Sequence, residues 1–213
     1  YPLTPMIFNG DITDWDTSAV VNMNSMFMNN TTFVQEIGSW DTSSVVDMSG
    51  MFLNASGFDG EIIEWNTSNV TTMNSMFKNA VAFNQDINYD ETEEYWDVSG
   101  VKDMAAMFYS EGDAMVFNGD ITTWITSSVT NMAEMFENAG SFDQDISSWN
   151  VSEVTSMDYM FANASDFDQN IRVWDVSGTA VPLTNMFDGA TEMLSTYSAT
   201  IAVTPHVTNF FNQ

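Results

Sequence analysis

The sequence predicts an α/β repeat solenoid: a right-handed superhelix with one short parallel strand and one short helix in each 25-residue turn. Three observations favour this fold class. A segment of the form Phe-x-x-x-Ile-x-x-Trp recurs along the chain, and a Met-x-x-Met-Phe segment follows it in most copies. The step between copies is 25 residues and is broken once by a step of 34. A fixed period of about 20 to 50 residues is typical of repeat architectures.

The repeats predict one elongated domain over residues 1–213, because each unit of such an array contacts only its neighbours. Seven copies open at Phe8, Phe33, Phe58, Phe83, Phe117, Phe142 and Phe167. Residues 1–7 are a predicted lead-in, and residues 188–213 are a predicted degenerate capping repeat. The tryptophan of each copy falls at Trp15, Trp40, Trp65, Trp96, Trp124, Trp149 and Trp174.

The second half of each copy predicts a helix of about two turns. Met23, Met26 and Phe27 stand at i, i+3 and i+4, the spacing of one helical face. Asn22 precedes them as an N-cap, and Asn29 follows as a residue that tolerates the left-handed conformation ending a helix. The methionines and phenylalanines are therefore expected in the core.

The first half of each copy predicts a strand. Residues 145–151 show it most clearly, with aromatic and β-branched residues in a short run. A serine then recurs at one site in every copy, which suggests a buried ladder of turn hydroxyls bonded to the backbone. These serines are Ser18, Ser43, Ser68, Ser99, Ser127, Ser152 and Ser177.

The charge excludes several classes of partner. The formal net charge is −27, with only three basic residues, Lys78, Lys102 and Arg172. We therefore expect no nucleic-acid binding and no attraction to an anionic membrane. The sequence has no cysteine and no apolar run of about 18 residues, so we expect neither disulfides nor membrane insertion. Because the chain begins at Tyr1 rather than Met, we expect an exported product that has lost its signal segment.

Residues 8–27 read Phe-Asn-Gly-Asp-Ile-Thr-Asp-Trp-Asp-Thr-Ser-Ala-Val-Val-Asn-Met-Asn-Ser-Met-Phe. This motif resembles the repeat of the BspA-like leucine-rich-repeat surface proteins, and the resemblance covers most of the chain. It implies an exported, cell-surface solenoid of leucine-rich-repeat type that serves in adhesion or protein–protein contact. It provides no catalytic residues, and the insertions in the fourth copy depart from the pattern.

A column of acidic residues predicts a possible Ca²⁺ ladder. Its members share one site in six copies: Asp11, Glu36, Glu61, Asp86, Asp120 and Asp145. Stacked carboxylates about 5 Å apart repel one another, and Ca²⁺ bridging by their oxygens would offset the repulsion. The alternative is that each carboxylate faces water or accepts backbone N–H bonds within its own turn.

Two further features are candidate surface sites. An insertion in the fourth copy offers a possible interaction loop, and the alternative is a tolerated surface insertion with a solvated charge run. The residues of the loop are Tyr89, Asp90, Glu91, Glu93, Glu94 and Tyr95. Asn-x-Ser/Thr triplets mark possible N-glycosylation at Asn29, Asn54, Asn66, Asn150 and Asn163, although a repeat of this composition forms such triplets by chance.

These features predict an extracellular or cell-surface scaffold that binds other proteins or surface glycans and is not an enzyme. The single histidine, His206, leaves no general base for a catalytic triad. The alternative is an extracellular filament or surface layer assembled end to end. A third hypothesis is ice or mineral binding by a threonine face, since Thr17, Thr42, Thr67 and Thr126 share one site.

Overall fold

Successive repeats lie on one another as parallel turns of backbone in a computed structural model that describes residues 7–88, 96–112, 115–177, 181–197, 204–205 and 210–211. We call each repeat a coil. Backbone N–H groups of one coil donate to carbonyl oxygens of the next at a constant offset. Ser25 N–H donates to Ser49 O over 2.9 Å, and Gly50 N–H donates to Asn74 O over 2.8 Å. Equivalent residues therefore lie above one another along the stack.

The stack contains little regular secondary structure. In the described residues the complete helices are a 3₁₀ helix, Ile171–Val173, and one α-helix, α1, Thr191–Thr196. Strand pairing there consists of isolated parallel bridges between successive coils. The bridges join Asn22 to Asp47, Asp47 to Thr72, Thr72 to Asp103, Asp103 to Asn131 and Asn131 to Ser156. The predicted α/β solenoid of leucine-rich-repeat type, with a strand and a helix in every turn, is therefore wrong.

Tandem β-turns take the place of the predicted helix. In the first coil, Met26 N–H donates to Met23 O over 3.2 Å and closes a turn. The third residue of that turn, Ser25, has φ of 57°, and Asn29 in the next turns has φ of 63°. Two left-handed residues four positions apart cannot belong to a right-handed α-helix. The chain therefore closes one turn after another instead of propagating a helix.

The same turns explain why the sequence imitates a helix. Alternate N–H groups close turns within the coil, and those between them bond to the next coil, so the backbone is satisfied without a helix. Met23 and Phe27 still point inward and are 1% and 3% exposed. The prediction that the methionine and phenylalanine stripe is core is confirmed.

Two local predictions hold although the helix does not form. The side chain of the predicted N-cap residue accepts a hydrogen bond from the N–H two positions further on. Asn22 Oδ1 accepts from Asn24 N–H over 2.8 Å, and Asp47 Oδ1 accepts from Ser49 N–H over 2.8 Å. The asparagine chosen as the stop is left-handed in five coils, at Asn29, Asn54, Asn79, Asn138 and Asn163. These residues begin and end a run of turns.

A β-turn also replaces the predicted strand over 145–151. Trp149 N–H donates to Ile146 O over 3.1 Å, which folds the chain back between the two residues. Asp145 Oδ1 accepts from Ser147 N–H over 3.0 Å and fixes the start of that turn. The predicted strand residues pack as expected, with Ile146 and Trp149 buried, but on the two sides of a corner.

The buried hydroxyls belong to threonines and not to the predicted serines. Ser18 is exposed, and its hydroxyl donates to Asp16 Oδ1 over 2.6 Å. Thr17 is 4% exposed, and its hydroxyl donates to Asp41 O in the next coil over 2.9 Å. The prediction of a buried serine ladder is therefore wrong by one residue, because the buried hydroxyl belongs to the residue before the predicted serine. The site shared by Thr17, Thr42, Thr67 and Thr126 is buried, so these threonines form no exposed face for ice or mineral.

Columns of stacked rings form the core. Ring centroids lie 5.8 Å apart for Phe33 and Phe58 and 6.4 Å apart for Trp65 and Trp96. At the C-terminal end the column changes geometry, because Phe210 meets Phe187 edge-on at 67°. Phe187 is fully buried there, so the described end of the stack is covered. How far the predicted capping repeat and lead-in extend stays a prediction.

Candidate interaction surface

Most carboxylates of the predicted acidic ladder are tied to the backbone by hydrogen bonds. Asp11 Oδ1 accepts from the N–H and the hydroxyl of Thr13, over 3.1 and 2.7 Å. Asp120 and Asp145 accept in the same way from the residue two positions further on. Asp86 Oδ1 accepts from the N–H of Asp120 in the next coil over 2.8 Å. The hydrogen bonds from Thr13, the hydroxyl first and then the N–H, lower the pKa of Asp11 and so favour its ionised form.

Two members of the ladder, Glu36 and Glu61, lack this hydrogen bond. The residue two positions after each is Gly38 or Ile63, which carries no hydroxyl. In the described part of the chain no hydrogen bond or ion pair engages the carboxylates of Glu36, Glu61 or the nearby Glu64. These side chains are exposed and extend from the second and third coils.

The unbonded glutamates line a depression on the surface. A cavity of about 270 Å³ is bounded by Glu36, Gly38, Glu61, Ile63 and Glu64, together with Thr13 and Ser39. An adjoining cavity of about 240 Å³ shares Glu61 and Ile63 and extends to Asp86. We call the two together the acidic groove, defined by Glu36, Gly38, Glu61, Ile63, Glu64 and Asp86.

The ladder does not assemble a metal centre in the structure. Among the described residues, no three or more acidic, histidine or cysteine side chains converge in a way that could hold a metal ion. Ca²⁺ takes about six to eight oxygen ligands, and the ladder offers one carboxylate per coil. Calcium binding by the ladder stays a prediction, since the described residues form no cluster that would coordinate the ion. The residues concerned are Asp11, Glu36, Glu61, Asp86, Asp120 and Asp145.

The acidic residue that follows most of the tryptophans has a structural role. The Ser18 hydroxyl and N–H both donate to Asp16 Oδ1, and these bonds lower the pKa of Asp16. Asn66 occupies the equivalent site two coils later and accepts the same two bonds from Ser68. Because an amide replaces the carboxylate there, the site needs an acceptor oxygen and not a charge.

The predicted glycosylation asparagines differ in access. Asn54 Nδ2 donates to Asn29 Oδ1 over 2.7 Å, and Asn163 Nδ2 donates to Asn138 Oδ1 over 2.8 Å. Nδ2 is the atom that a glycan would occupy, so modification of Asn54 or Asn163 would leave a single N–H hydrogen on Nδ2 for these bonds. Asn29 and Asn66 are half-buried, whereas Asn150 is exposed and uses Oδ1 to accept from Ser152 N–H. Glycosylation stays a prediction.

The predicted interaction loop and His206 lie outside the described residues, so what the sequence predicts for them stays a prediction. The loop residues are Tyr89, Asp90, Glu91, Glu93, Glu94 and Tyr95. No helix within the described ranges has the length and apolar character needed to cross a bilayer.

Comparison with known protein families identifies the family of this chain. The profile of a family described as "Mycoplasma protein of unknown function, DUF285" matches the chain twice, over residues 4–95 and 88–200. The chain belongs to this family. No curated protein and no solved structure matches it.

The two DUF285 segments meet inside the fourth coil, where the period is interrupted. Their cores are nevertheless continuous: Phe83 of the first segment stacks on Phe117 of the second with centroids 5.9 Å apart. Trp96, beside the junction, is fully buried with φ of 47°, an unusual backbone conformation for an aromatic residue. The stack of core rings therefore continues across the junction.

Sequence reasoning missed the acidic groove, because it grouped all six carboxylates as equivalent. The sequence does contain a signal that separates the two glutamates from the aspartates, in the residue that follows the isoleucine. A hydroxyl residue follows Ile in the coils where the Asp side chain is tied to its own turn, and Gly38 or Ile63 takes its place beside the two glutamates.

Proposed function

We propose that this DUF285 chain is an extracellular, cell-surface repeat protein of the BspA-like kind, which binds other proteins or surface glycans as an adhesion scaffold without catalysis. Two points support the proposal: the family match over both halves of the chain and the resemblance of the repeat to that of surface proteins. A core of aligned coils that presents the same outer position at a regular interval suits the display of binding groups.

The acidic groove is the observation that carries the proposal. It interrupts the structural use of the acidic column in two adjacent coils, and it leaves carboxylates beside an exposed apolar side chain, Ile63. Local departures from a structural rule tend to fall at functional sites.

Surface exposure of the protein on its source cells tests the proposal. Intact cells are treated with protease, and the chain is followed with an antibody; the expected result is its loss while an internal marker survives. Purified protein added in solution is expected to reduce attachment of those cells to their substrate. Survival of the chain in intact cells together with unchanged attachment would overturn the proposal.

The alternative proposal is a filament assembled end to end. Such assembly needs two complementary open ends. Among the described residues Trp15 of the first coil is 53% exposed, whereas Phe187 of the last coil is buried and packs edge-on against Phe210. Electron microscopy at micromolar concentration distinguishes the scaffold from the filament, since fibres are expected only for the filament.

A further inference from the structure

We propose that Asn9 and Asn118 are latent sites of spontaneous deamidation, and that a glutamine in the next coil clamps each of them in an unreactive conformation. These are the two asparagines of the chain that precede a glycine, Gly10 and Gly119. Asparagine is chemically labile, and glycine makes it more so because no side chain hinders attack by the glycine nitrogen.

The reaction is intramolecular and consumes only water. The main-chain nitrogen of Gly119 attacks Cγ of Asn118 and loses its proton, while the bond from Cγ to Nδ2 breaks and Nδ2 leaves as ammonia. Water then opens the cyclic imide at either carbonyl, which gives aspartate or isoaspartate. The attack therefore requires Cγ to lie against the nitrogen of the following residue.

The clamp holds the side chain of Asn118 against its own carbonyl oxygen. Gln144 Nε2 donates to Asn118 O over 2.9 Å and to Asn118 Oδ1 over 3.0 Å, and Asp143 N–H donates to the same Oδ1 over 2.9 Å. One nitrogen reaches both oxygens only when the side-chain carbonyl lies on the oxygen side of the planar peptide group. The nitrogen of Gly119 points the other way, so attack requires the peptide to rotate and these bonds to break.

Asn9 is held in the same way in the first coil. Gln35 Nε2 donates to Asn9 O and to Asn9 Oδ1, each over 3.1 Å, and Val34 N–H donates to the same Oδ1 over 3.0 Å. The clamp therefore recurs at both Asn-Gly pairs, although they lie four coils apart.

The glutamine also accompanies the one aspartate of this column that precedes a glycine. Asp59 stands before Gly60, and Gln85 Nε2 donates to Asp59 O over 3.0 Å and to Asp59 Oδ1 over 2.9 Å. Asn84 in the same column precedes Gln85 instead of a glycine, and Gly119 stands where its clamp would be. In this column a clamp is therefore present wherever glycine makes the pair labile.

Packing adds a second restraint at Asn118 but not at Asn9. Gly119 is buried, and a Cβ atom there would lie 2.1 Å from a main-chain oxygen of the preceding coil, so its peptide has little room to rotate. Gly10 is exposed, and a Cβ atom there would meet only the ring of Phe8, at 3.1 Å. Asn9 therefore depends on its glutamine more than Asn118 does.

Site-resolved mass spectrometry of the full chain tests the proposal. The protein is incubated at mildly alkaline pH, and the conversion of each asparagine to the acid is followed over time. Trypsin cleaves after Lys78, Lys102 and Arg172, so Asn9 and Asn118 fall on different peptides. We expect both residues to convert at least about tenfold more slowly in the folded protein than in the same chain unfolded in urea.

Substitution of one clamp at a time separates its effect from that of general stability. Gln144→Ala is expected to speed conversion at Asn118 about tenfold, because both contacts of the amide are lost, and to leave Asn9 unchanged. Gln35→Ala is expected to do the reverse, with a larger acceleration at Asn9.

The matched control is Gln169→Ala. Gln169 Nε2 makes the same pair of bonds to Asp143, a residue that no glycine follows, so we expect no change at either Asn-Gly pair. Circular dichroism confirms that all three variants fold. The inference is overturned by equal rates in the folded and unfolded chain, by no acceleration in the two clamp variants, or by equal acceleration at both asparagines in either variant. Acceleration in the control that matches the clamp variants would overturn it as well.

Discussion

Trp65 donates its indole Nε1–H to the main-chain carbonyl of Ile37 in the preceding coil, over 3.0 Å, and the bond is fully buried. Each coil after the first repeats it. The other donors are Trp40, Trp96, Trp124, Trp149 and Trp174, each to the equivalent isoleucine one coil earlier. The tryptophans therefore link adjacent coils by a directed polar contact as well as by ring stacking.

Replacement of this donor is expected to destabilise the stack. Trp65→Phe removes the bond between coils, leaves the Ile37 carbonyl only its turn bond from Trp40 N–H, and also loses ring volume. We expect a loss of about 2–4 kcal/mol in the free energy of unfolding. Chemical denaturation measures it. Trp15→Phe is the matched control, because Trp15 has no preceding coil among the described residues; we expect less than about 0.5 kcal/mol there. Equal losses in the two variants would contradict the role of the bond.

Glu134 is strained by its backbone, with φ of 60° at a non-glycine residue. Glu134→Gly is expected to stabilise the protein by about 0.5–1.5 kcal/mol, because glycine adopts this conformation without a Cβ clash. Burial raises the pKa of Glu137, and the Glu134 carboxylate adds to that rise. Removal of Glu134 should therefore also lower the pKa of Glu137, which NMR titration follows.

Glu134→Ala distinguishes strain from charge. It removes the carboxylate but keeps the Cβ atom at the same φ. The Glu137 pKa should then fall as in the glycine variant while the gain in stability is absent or smaller. If the alanine variant is as stable as the glycine variant, backbone strain is not the cause.

Acid is expected to weaken the turns after the tryptophans. Hydrogen bonds from the Ser43 hydroxyl and N–H lower the pKa of Asp41 below 3.8, and Asp16 and Asp175 behave alike. Their contribution to stability is complete above the unfolded pKa and is lost as the pH falls through the folded pKa. In the triple variant Asp16→Asn, Asp41→Asn and Asp175→Asn, the amide keeps the acceptor oxygen, as Asn66 does.

The melting temperature of this triple variant should fall less than that of the native protein between about pH 4 and pH 2. Thermal melts followed by circular dichroism measure the difference. The other carboxylates are the same in both proteins, so the comparison isolates these three. An identical fall in melting temperature in the two proteins would contradict the prediction.

The asparagine ladder predicts different outcomes for two substitutions at one site. Asn54 has φ of 61°, and its amide both donates to Asn29 and accepts from Asn79 over 2.7 Å. Asn54→Gly loses the ladder bonds but fits the backbone, whereas Asn54→Ala loses both. We expect alanine to be about 1 kcal/mol less stable than glycine. Denaturation of both variants under one condition gives the comparison.

Local residue chemistry could be predicted because it depends on few neighbours in the chain. The inward stripe of Met23 and Phe27, the side-chain acceptor at Asn22 and the left-handed asparagines all follow from positions within one repeat. The helix was predicted because turns of this kind place core residues at the same i, i+3, i+4 spacing. The left-handed Ser25, which excludes the helix, carries no strong signal in its residue type.

The groove was beyond prediction for a different reason. Glu36 and Glu61 share a repeat position with Asp11, and only the three-dimensional contacts reveal which carboxylates are already bonded. Likewise the sequence suggested serine for the buried hydroxyl, but the direction of the side chains at the corner assigns that place to Thr17.

By itself the sequence determined the period, the alignment of the repeats and the identity of the core, because a repeated pattern of apolar residues is preserved only where every unit packs alike. The tertiary structure decided what the backbone does within each period. Hydrogen bonds such as Ser25 N–H to Ser49 O come from the neighbouring coil and not from the same segment. Once these bonds satisfy the backbone, tandem turns replace helix and strand, and the corner residues become free to form a surface.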